Sequence, residues 1–73
     1  MTYADRITFD AKVMGGKPCI RGLRITVGTV LTLLRDHTPD EILAEYPELE
    51  REDLDAALSY AAYLAEEREL PVV

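Results

Sequence analysis

Three sets of side chains in this 73-residue sequence could do chemistry. The first is its single cysteine and its single histidine, Cys19 and His37, the residue types of a thiolate nucleophile and its general base. Their spacing implies no third residue that would orient the histidine. We therefore interpret Cys19 as a small buried residue and His37 as a residue suited to a helix C-terminus, and we predict that the chain is not an enzyme.

The second set is the run of acidic residues over positions 48–55. Carboxylates are ligands for hard cations, but acids in this position also favour the positive end of a helix. One cysteine and one histidine supply no metal-ligand spacing. We expect no bound metal and no other cofactor.

The third set is Lys17, Arg21 and Arg24, three cations within eight residues that lie beside glycines. Side chains of this kind on a short β-ribbon can follow nucleic-acid phosphates, or they can pair with acids of the same chain. Residues 1–35 carry a net charge of +4 and residues 36–73 one of −10. Any polyanion should therefore meet the N-terminal third, where Lys17, Arg21 and Arg24 are the DNA-binding candidates.

The elements that position these side chains begin with a small β region. Residues 6–9 predict a first strand, and Gly15 and Gly16 predict a sharp reversal. A second short strand pair is expected where residues 19–20 and 24–26 flank Gly22. Residues 1–26 would then form a β arm.

Two helices are predicted directly after the β arm. Apolar residues recur at helical spacing from residue 27 to near residue 36, which predicts a first helix that Thr26 caps. Thr38 and Glu41 have the spacing of a capping box, which predicts a second helix from residue 39 to about residue 45.

A third helix is predicted to follow the acidic run and to extend to about Leu70, before Pro71. Tyr60 and Tyr63, three positions apart, are either the rim of the core or the anchors of an interface. The expected core stripe of this helix is Leu54, Ala57, Leu58, Ala61, Leu64 and Ala65.

These elements predict one mostly α domain over residues 1–73, with a three-helix bundle over residues 27–70 behind the β arm. A short helix, a brief break and a longer helix match a helix-turn-helix, although any three-helix bundle shows the same pattern. A core this thin, with no disulfide, favours a homodimer. We find no apolar run that could cross a bilayer and no leader-like N-terminus, and we expect a cytoplasmic protein.

Two sequence blocks carry a resemblance to a known family. They are GGKPCIRGLRITV over residues 15–27 and TPDEILAEYPELEREDLDAALSYAA over residues 38–62. Together they resemble the small bacterial family known as domain of unknown function 433. The resemblance implies a homeodomain-like helix-turn-helix fold and the role of a VapB-type antitoxin paired with a PIN-like ribonuclease toxin. Glu50 departs from the family pattern, because it stands where a threonine would cap the third helix.

We therefore expect an antitoxin-like binding protein of a type II toxin–antitoxin pair, with operator DNA as a second candidate ligand. Four acids at the start of the third helix are interpreted as exposed groups that oppose its entry into a DNA groove, since duplex affinity depends on cations that neutralise phosphates. They are Glu50, Glu52, Asp53 and Asp55. The alternative is a structural or adaptor homodimer that binds no nucleic acid. The candidate partner-binding residues are Tyr60, Tyr63 and Arg68.

Overall fold

The computed structural model describes residues 5–67, and helices make up more than half of them. The elements in chain order are β1 (Ile7–Thr8), a 3₁₀ helix (Met14–Gly16), β2 (Cys19–Ile20), α1 (Val27–Asp36), α2 (Pro39–Glu45) and α3 (Arg51–Glu67). The predicted mostly α fold with a short N-terminal hairpin is confirmed. No helix among the described residues is long and apolar enough to cross a membrane.

Strands β1 and β2 form an antiparallel pair in which Ile7 lies opposite Ile20 and Thr8 opposite Cys19. The chain reverses between them through the 3₁₀ helix Met14–Gly16, whose three residues all have positive φ. Glycine adopts this conformation without strain, which explains why two of the three are glycines. The reversal predicted from the glycine pair is therefore confirmed.

The second predicted strand pair is reduced to a single bridge between Cys19 and Thr26. Beside it, the amide of Ile20 donates a 2.9 Å hydrogen bond to the carbonyl of Ile25. The pair stays this short because the chain turns directly after Ile20, where Arg21 and Gly22 have positive φ, and because Thr26 is already the N-cap of α1, its hydroxyl accepting a 3.1 Å hydrogen bond from the amide of Thr29. The prediction of a full strand over residues 24–26 was wrong for these reasons.

Helix α2 begins with the capping box that the sequence predicts. The Thr38 hydroxyl accepts from the amide of Glu41 at 3.2 Å, and the Glu41 carboxylate accepts from the amide of Thr38 at 2.8 Å. These hydrogen bonds favour the ionised carboxylate and lower the pKa of Glu41. The predicted bounds of α1 and α2 are both confirmed.

The core lies between the hairpin and the three helices, and α1 contacts both α2 and α3. Cys19 is buried within it, as predicted, and its thiol donates to the carbonyl of Lys17 at 3.3 Å. The buried apolar residues are Ile7, Cys19, Ile20, Val27, Val30, Ile42, Leu49, Leu54, Ala56 and Ala57.

Only the first part of α3 contributes to this core. Leu54 and Ala57 are buried as predicted, but Leu58 is 50% exposed and Leu64 is 37% exposed. At 1.5 Å per residue, the 17 residues of α3 span about 25 Å, so α3 is longer than α1, which has 10 residues, and longer than α2, which has 7. The prediction of a core stripe along the whole helix was therefore wrong, and its predicted end near Leu70 lies outside the described residues.

Candidate functional site

Apolar side chains remain exposed on the second half of α3. Leu58 and Leu64 lie on its surface, and Phe9, which follows β1, is 60% exposed. The rings of Phe9 and Tyr60 meet edge to face with their centroids 6.0 Å apart, so the hairpin and α3 share one patch. We call this patch the apolar α3 surface, and its members are Phe9, Leu58, Tyr60, Ala61, Tyr63 and Leu64.

The opposite side of α3 is acidic. Glu52, Asp55 and Glu66 are exposed, and positions 52, 55, 59, 62 and 66 follow one another at intervals of three and four residues. Residues at this spacing share one helix face. The carboxylates Glu52, Asp55 and Glu66 thus share one exposed face of α3, on which Ser59 and Ala62 occupy the positions between them.

Asp53 does not belong to this acidic face. Its side chain is fully buried, so the interpretation of Asp53 as an exposed, solubilising acid was wrong. Arg21 donates from Nε to Oδ1 at 3.0 Å and from Nη2 to Oδ2 at 2.9 Å, and Arg6 donates from Nη1 to Oδ1 at 2.8 Å. The amide of Glu50 donates to Oδ2 at 2.8 Å. Every oxygen of the buried carboxylate therefore has at least two donors.

These contacts decide the charge state of the Asp53 carboxyl. Burial alone would raise the pKa of Asp53, but the hydrogen bonds from Arg21, from the Glu50 amide and from Arg6 outweigh burial and hold this pKa below its ordinary value. The hydrogen bond to Asp53 raises the pKa of Arg21, and the pKa of Arg6 is raised first by its 2.7 Å hydrogen bond to the Glu50 carboxylate and second by its hydrogen bond to Asp53. Asp53 is therefore an ionised, buried anion at neutral pH, and we call Asp53, Arg6 and Arg21 the ion cluster.

The ion cluster connects segments that are far apart in sequence. Arg21 also donates from Nη2 to the carbonyl of Glu48 at 2.7 Å, and its amide donates to the carbonyl of Arg6 at 2.9 Å. The Asp53 carboxylate also accepts a hydrogen bond from the amide of Glu50 at the start of α3, which is one half of a capping box. A threonine hydroxyl at position 50 would supply the other half by accepting from the amide of Asp53, which instead donates to the backbone carbonyl of Glu50 at 2.9 Å.

The three candidate DNA-binding residues have different surroundings. Arg21 is held in the ion cluster, with 32% of its side chain exposed. Lys17 and Arg24 are exposed, and within residues 5–67 neither side chain makes a hydrogen bond or an ion pair. The structure thus leaves Lys17 and Arg24 available to a ligand and commits the Arg21 guanidinium to Asp53.

The candidate partner-binding residues lie on α3 or beyond it. Tyr60 and Tyr63 both belong to the apolar α3 surface, where Tyr60 is half-buried and Tyr63 is exposed. Arg68 lies outside the described residues. Sequence reasoning missed Phe9, which the hairpin brings to Tyr60, and it missed Asp53 as the shared partner of Arg6 and Arg21.

A groove of about 450 Å³ opens between the end of α1 and α2. His37 lies at its edge as the C-cap of α1, the helix-terminal position predicted for it. Within residues 5–67, no group of three or more histidine, cysteine or acidic residues has an arrangement that could hold a metal ion. The residues that line the groove are Leu33, His37, Glu41, Ile42, Glu45 and Tyr46.

The profile of one protein family, described as Protein of unknown function (DUF433), matches residues 7–61. The chain belongs to this family. Comparisons with curated proteins and with solved structures give no match. The segment matched by DUF433 includes Arg21 and Asp53, whereas Arg6, Tyr63 and Leu64 lie outside it.

The ion cluster generates a prediction for the stability of this DUF433 chain. Replacing Asp53 with Asn should cost roughly 2–3 kcal/mol of unfolding free energy, because the arginines lose their anion but remain partly hydrated. Asp55→Asn changes charge equally on an exposed site of the same helix and should stay within about 0.5 kcal/mol of wild type. Urea unfolding followed by circular dichroism measures both values. Equal losses in the two variants would show that Asp53 has no special structural role.

The depressed pKa of Asp53 also predicts how stability depends on pH. As pH falls below the ordinary value of 3.8, the unfolded chain binds a proton at this position before the folded chain does. The stabilisation from Asp53 is therefore present above about pH 5 and lost as pH falls below about 4 through the folded-state value. The difference in unfolding free energy between wild type and Asp53→Asn should shrink over that acidic range. A difference that stayed constant down to the acid-unfolding limit would contradict the assignment.

Proposed function

We propose that this chain is a non-catalytic protein-binding module that acts in the cytoplasm as the antitoxin of a PIN-like ribonuclease. The observation that carries the proposal is the apolar α3 surface. Soluble monomers rarely expose large contiguous apolar patches, and such patches on them mark interaction sites. Leu58, Leu64 and Phe9 are all more than one third exposed, and the Phe9 ring contacts Tyr60 of the same helix.

The second half of α3 has a physical reason to bind a protein. Residues 62–66 are exposed on every side, and a helical segment with so little tertiary packing is marginally stable alone. A partner that covered Leu58, Tyr60 and Leu64 would supply the missing packing. Aromatic and apolar side chains surrounded by polar ones are the usual composition of such an interface.

The charge of α3 favours a protein over nucleic acid as the ligand of this helix. Glu52, Asp55 and Glu66 line its other side, and Arg51, the cation at its start, is ion-paired with Asp40. Carboxylates repel the phosphates of a duplex, whereas they attract a basic or bipolar protein and raise its association rate. We therefore assign α3 no contact with the major groove of DNA.

The identity of the partner rests on the resemblance of this family to VapB-type antitoxins, and the structure supplies the surface that such a role requires. Antitoxins of this type are paired with PIN-like ribonucleases, whose metal sites are acidic. Arg68 follows the described part of α3 in sequence, and we assign it the task of reaching those carboxylates. Occlusion of the toxin by α3 and neutralisation of its metal site by a cation would act together.

Co-expression with the product of the adjacent reading frame tests the proposal. We expect that frame to encode a small nuclease with clustered acidic residues, which co-purifies with this chain and loses its RNA cleavage in the complex. The double variant Leu58→Lys with Leu64→Lys should bind the nuclease at least about tenfold more weakly, because two charges enter an apolar contact. The matched control is Thr32→Lys with Ala44→Lys, which adds the same charge at exposed positions of α1 and α2.

Two outcomes would overturn the antitoxin role. One is a nuclease whose cleavage is undiminished by an excess of this chain. The other is the absence of any nuclease partner together with a stable dimer of about twice 8.2 kDa that the double variant dissociates. The second result would support the structural or adaptor homodimer, in which a second copy covers Leu58 and Leu64.

Operator DNA is a second candidate ligand, favoured by the exposure of Lys17 and Arg24 on the hairpin region. These two cations can neutralise phosphates, whereas the Arg21 guanidinium already donates hydrogen bonds to the Asp53 carboxylate. We therefore assign DNA contacts to Lys17 and Arg24, and we assign to Arg21 the role of holding the hairpin against Asp53.

Binding to the promoter DNA of the chain's own gene tests this division. The double variant Lys17→Ala with Arg24→Ala should keep wild-type stability, bind DNA more weakly and lower the salt slope of binding by roughly two. Arg21→Ala should instead lower the unfolding free energy, because it removes two contacts of the buried Asp53 carboxylate. Arg35→Ala, at an exposed cation of α1, is the control. DNA binding that depended on Arg51 and not on Lys17 and Arg24 would contradict the assignment.

A further inference from the structure

The groove between α1 and α2 combines two kinds of surface. Leu33 and the buried Ile42 give it an apolar base, and the ring of Tyr46 forms part of its wall. Glu41 and Glu45 lie one helical turn apart on α2, so both carboxylates border the same opening. A groove with an apolar base and an anionic edge suits a long side chain that ends in a cation.

The carboxylates of this groove are available to such a cation. Within residues 5–67, the Glu45 side chain has no hydrogen-bond or ion-pair partner. Glu41 uses Oε1 to accept from the amide of Thr38 at 2.8 Å, and no described residue donates to its Oε2. The lowered pKa of Glu41 keeps that carboxylate ionised.

The end of α1 adds to the negative character of the groove. The last carbonyl groups of a helix carry partial negative charge, and α1 ends at Asp36 beside His37 and Leu33. Arg35 is the cation nearest in sequence to the groove residues Leu33 and His37, and its Nη2 lies 3.4 Å from Oδ2 of Asp36. Among residues 5–67, no lysine or arginine lines the groove.

We infer that this groove binds an arginine side chain presented by a segment of a partner protein. The aliphatic part of the arginine would lie on Leu33 and Ile42, and its guanidinium would lie against the Tyr46 ring and donate hydrogen bonds to the carboxylate of Glu45. Arginine fits better than lysine because its planar group both stacks on an aromatic ring and pairs side-on with a carboxylate. This surface is separate from the apolar α3 surface, so the inference stands whether or not the partner is a ribonuclease.

A titration of the full, isotope-labelled chain followed by NMR tests the inference. The probe is a capped Leu-Arg-Leu tripeptide, and the matched probe is the same peptide with citrulline, which keeps the shape of arginine without its charge. We expect the arginine peptide to cause saturable shifts at the amides of His37, Glu45 and Tyr46. The citrulline peptide should cause much smaller shifts at these positions.

Two variants at exposed glutamates complete the test. Glu45→Gln should weaken binding of the arginine peptide about fivefold, because it removes the charge at the groove. Glu48→Gln makes the same change on an exposed residue outside the groove and should leave binding as in wild type. The amide spectra of both variants confirm that each remains folded.

Three results would overturn the inference. The first is equal shifts with the arginine and citrulline peptides. The second is shifts centred on Glu52, Asp55 and Glu66, which would mean that the peptide follows acidic charge in general. The third is groove shifts that appear on raising the protein concentration without peptide, which would make a second copy of this chain the occupant.

Discussion

The buried carboxylate of Asp53 is the contact on which the rest of this structure depends. It receives Arg6 and Arg21 from the two sides of the hairpin and the Glu50 amide from the start of its own helix. A carboxylate removed from water is tolerated only when several donors surround it. One buried group therefore joins the hairpin to the start of α3.

This arrangement also determines which surfaces remain for binding. Because Arg21 is held by Asp53, the cations that the hairpin region offers to solvent are reduced to residues such as Lys17 and Arg24. Because the shorter helices cover only the first part of α3, the apolar residues near Leu64 stay exposed. The chain thus presents basic, apolar and acidic surfaces at different places on a very small fold.

Local signals made much of this fold predictable. Thr38, followed by proline and acids, fixes the start of α2 through contacts within four residues, so the sequence alone was sufficient there. The burial of Asp53 could have been detected, since Ala57 one turn later lies on the same side of the helix. Its pairing with Arg21, 32 positions away, has no local signal. The exposure of Leu64 depends on the relative lengths of neighbouring helices, which periodicity within one helix does not report.

Thr26 belongs to two elements at once, because it bridges Cys19 in the hairpin and caps α1 through the amide of Thr29. No linker separates the hairpin from the bundle, so residues 5–26 are joined directly to the helices and do not form a tethered arm. The backbone at Lys17 and Arg24 is consequently held in place relative to the helices. A ligand that meets them pays little conformational entropy to order the hairpin, and it must accept the direction of approach that α1 imposes.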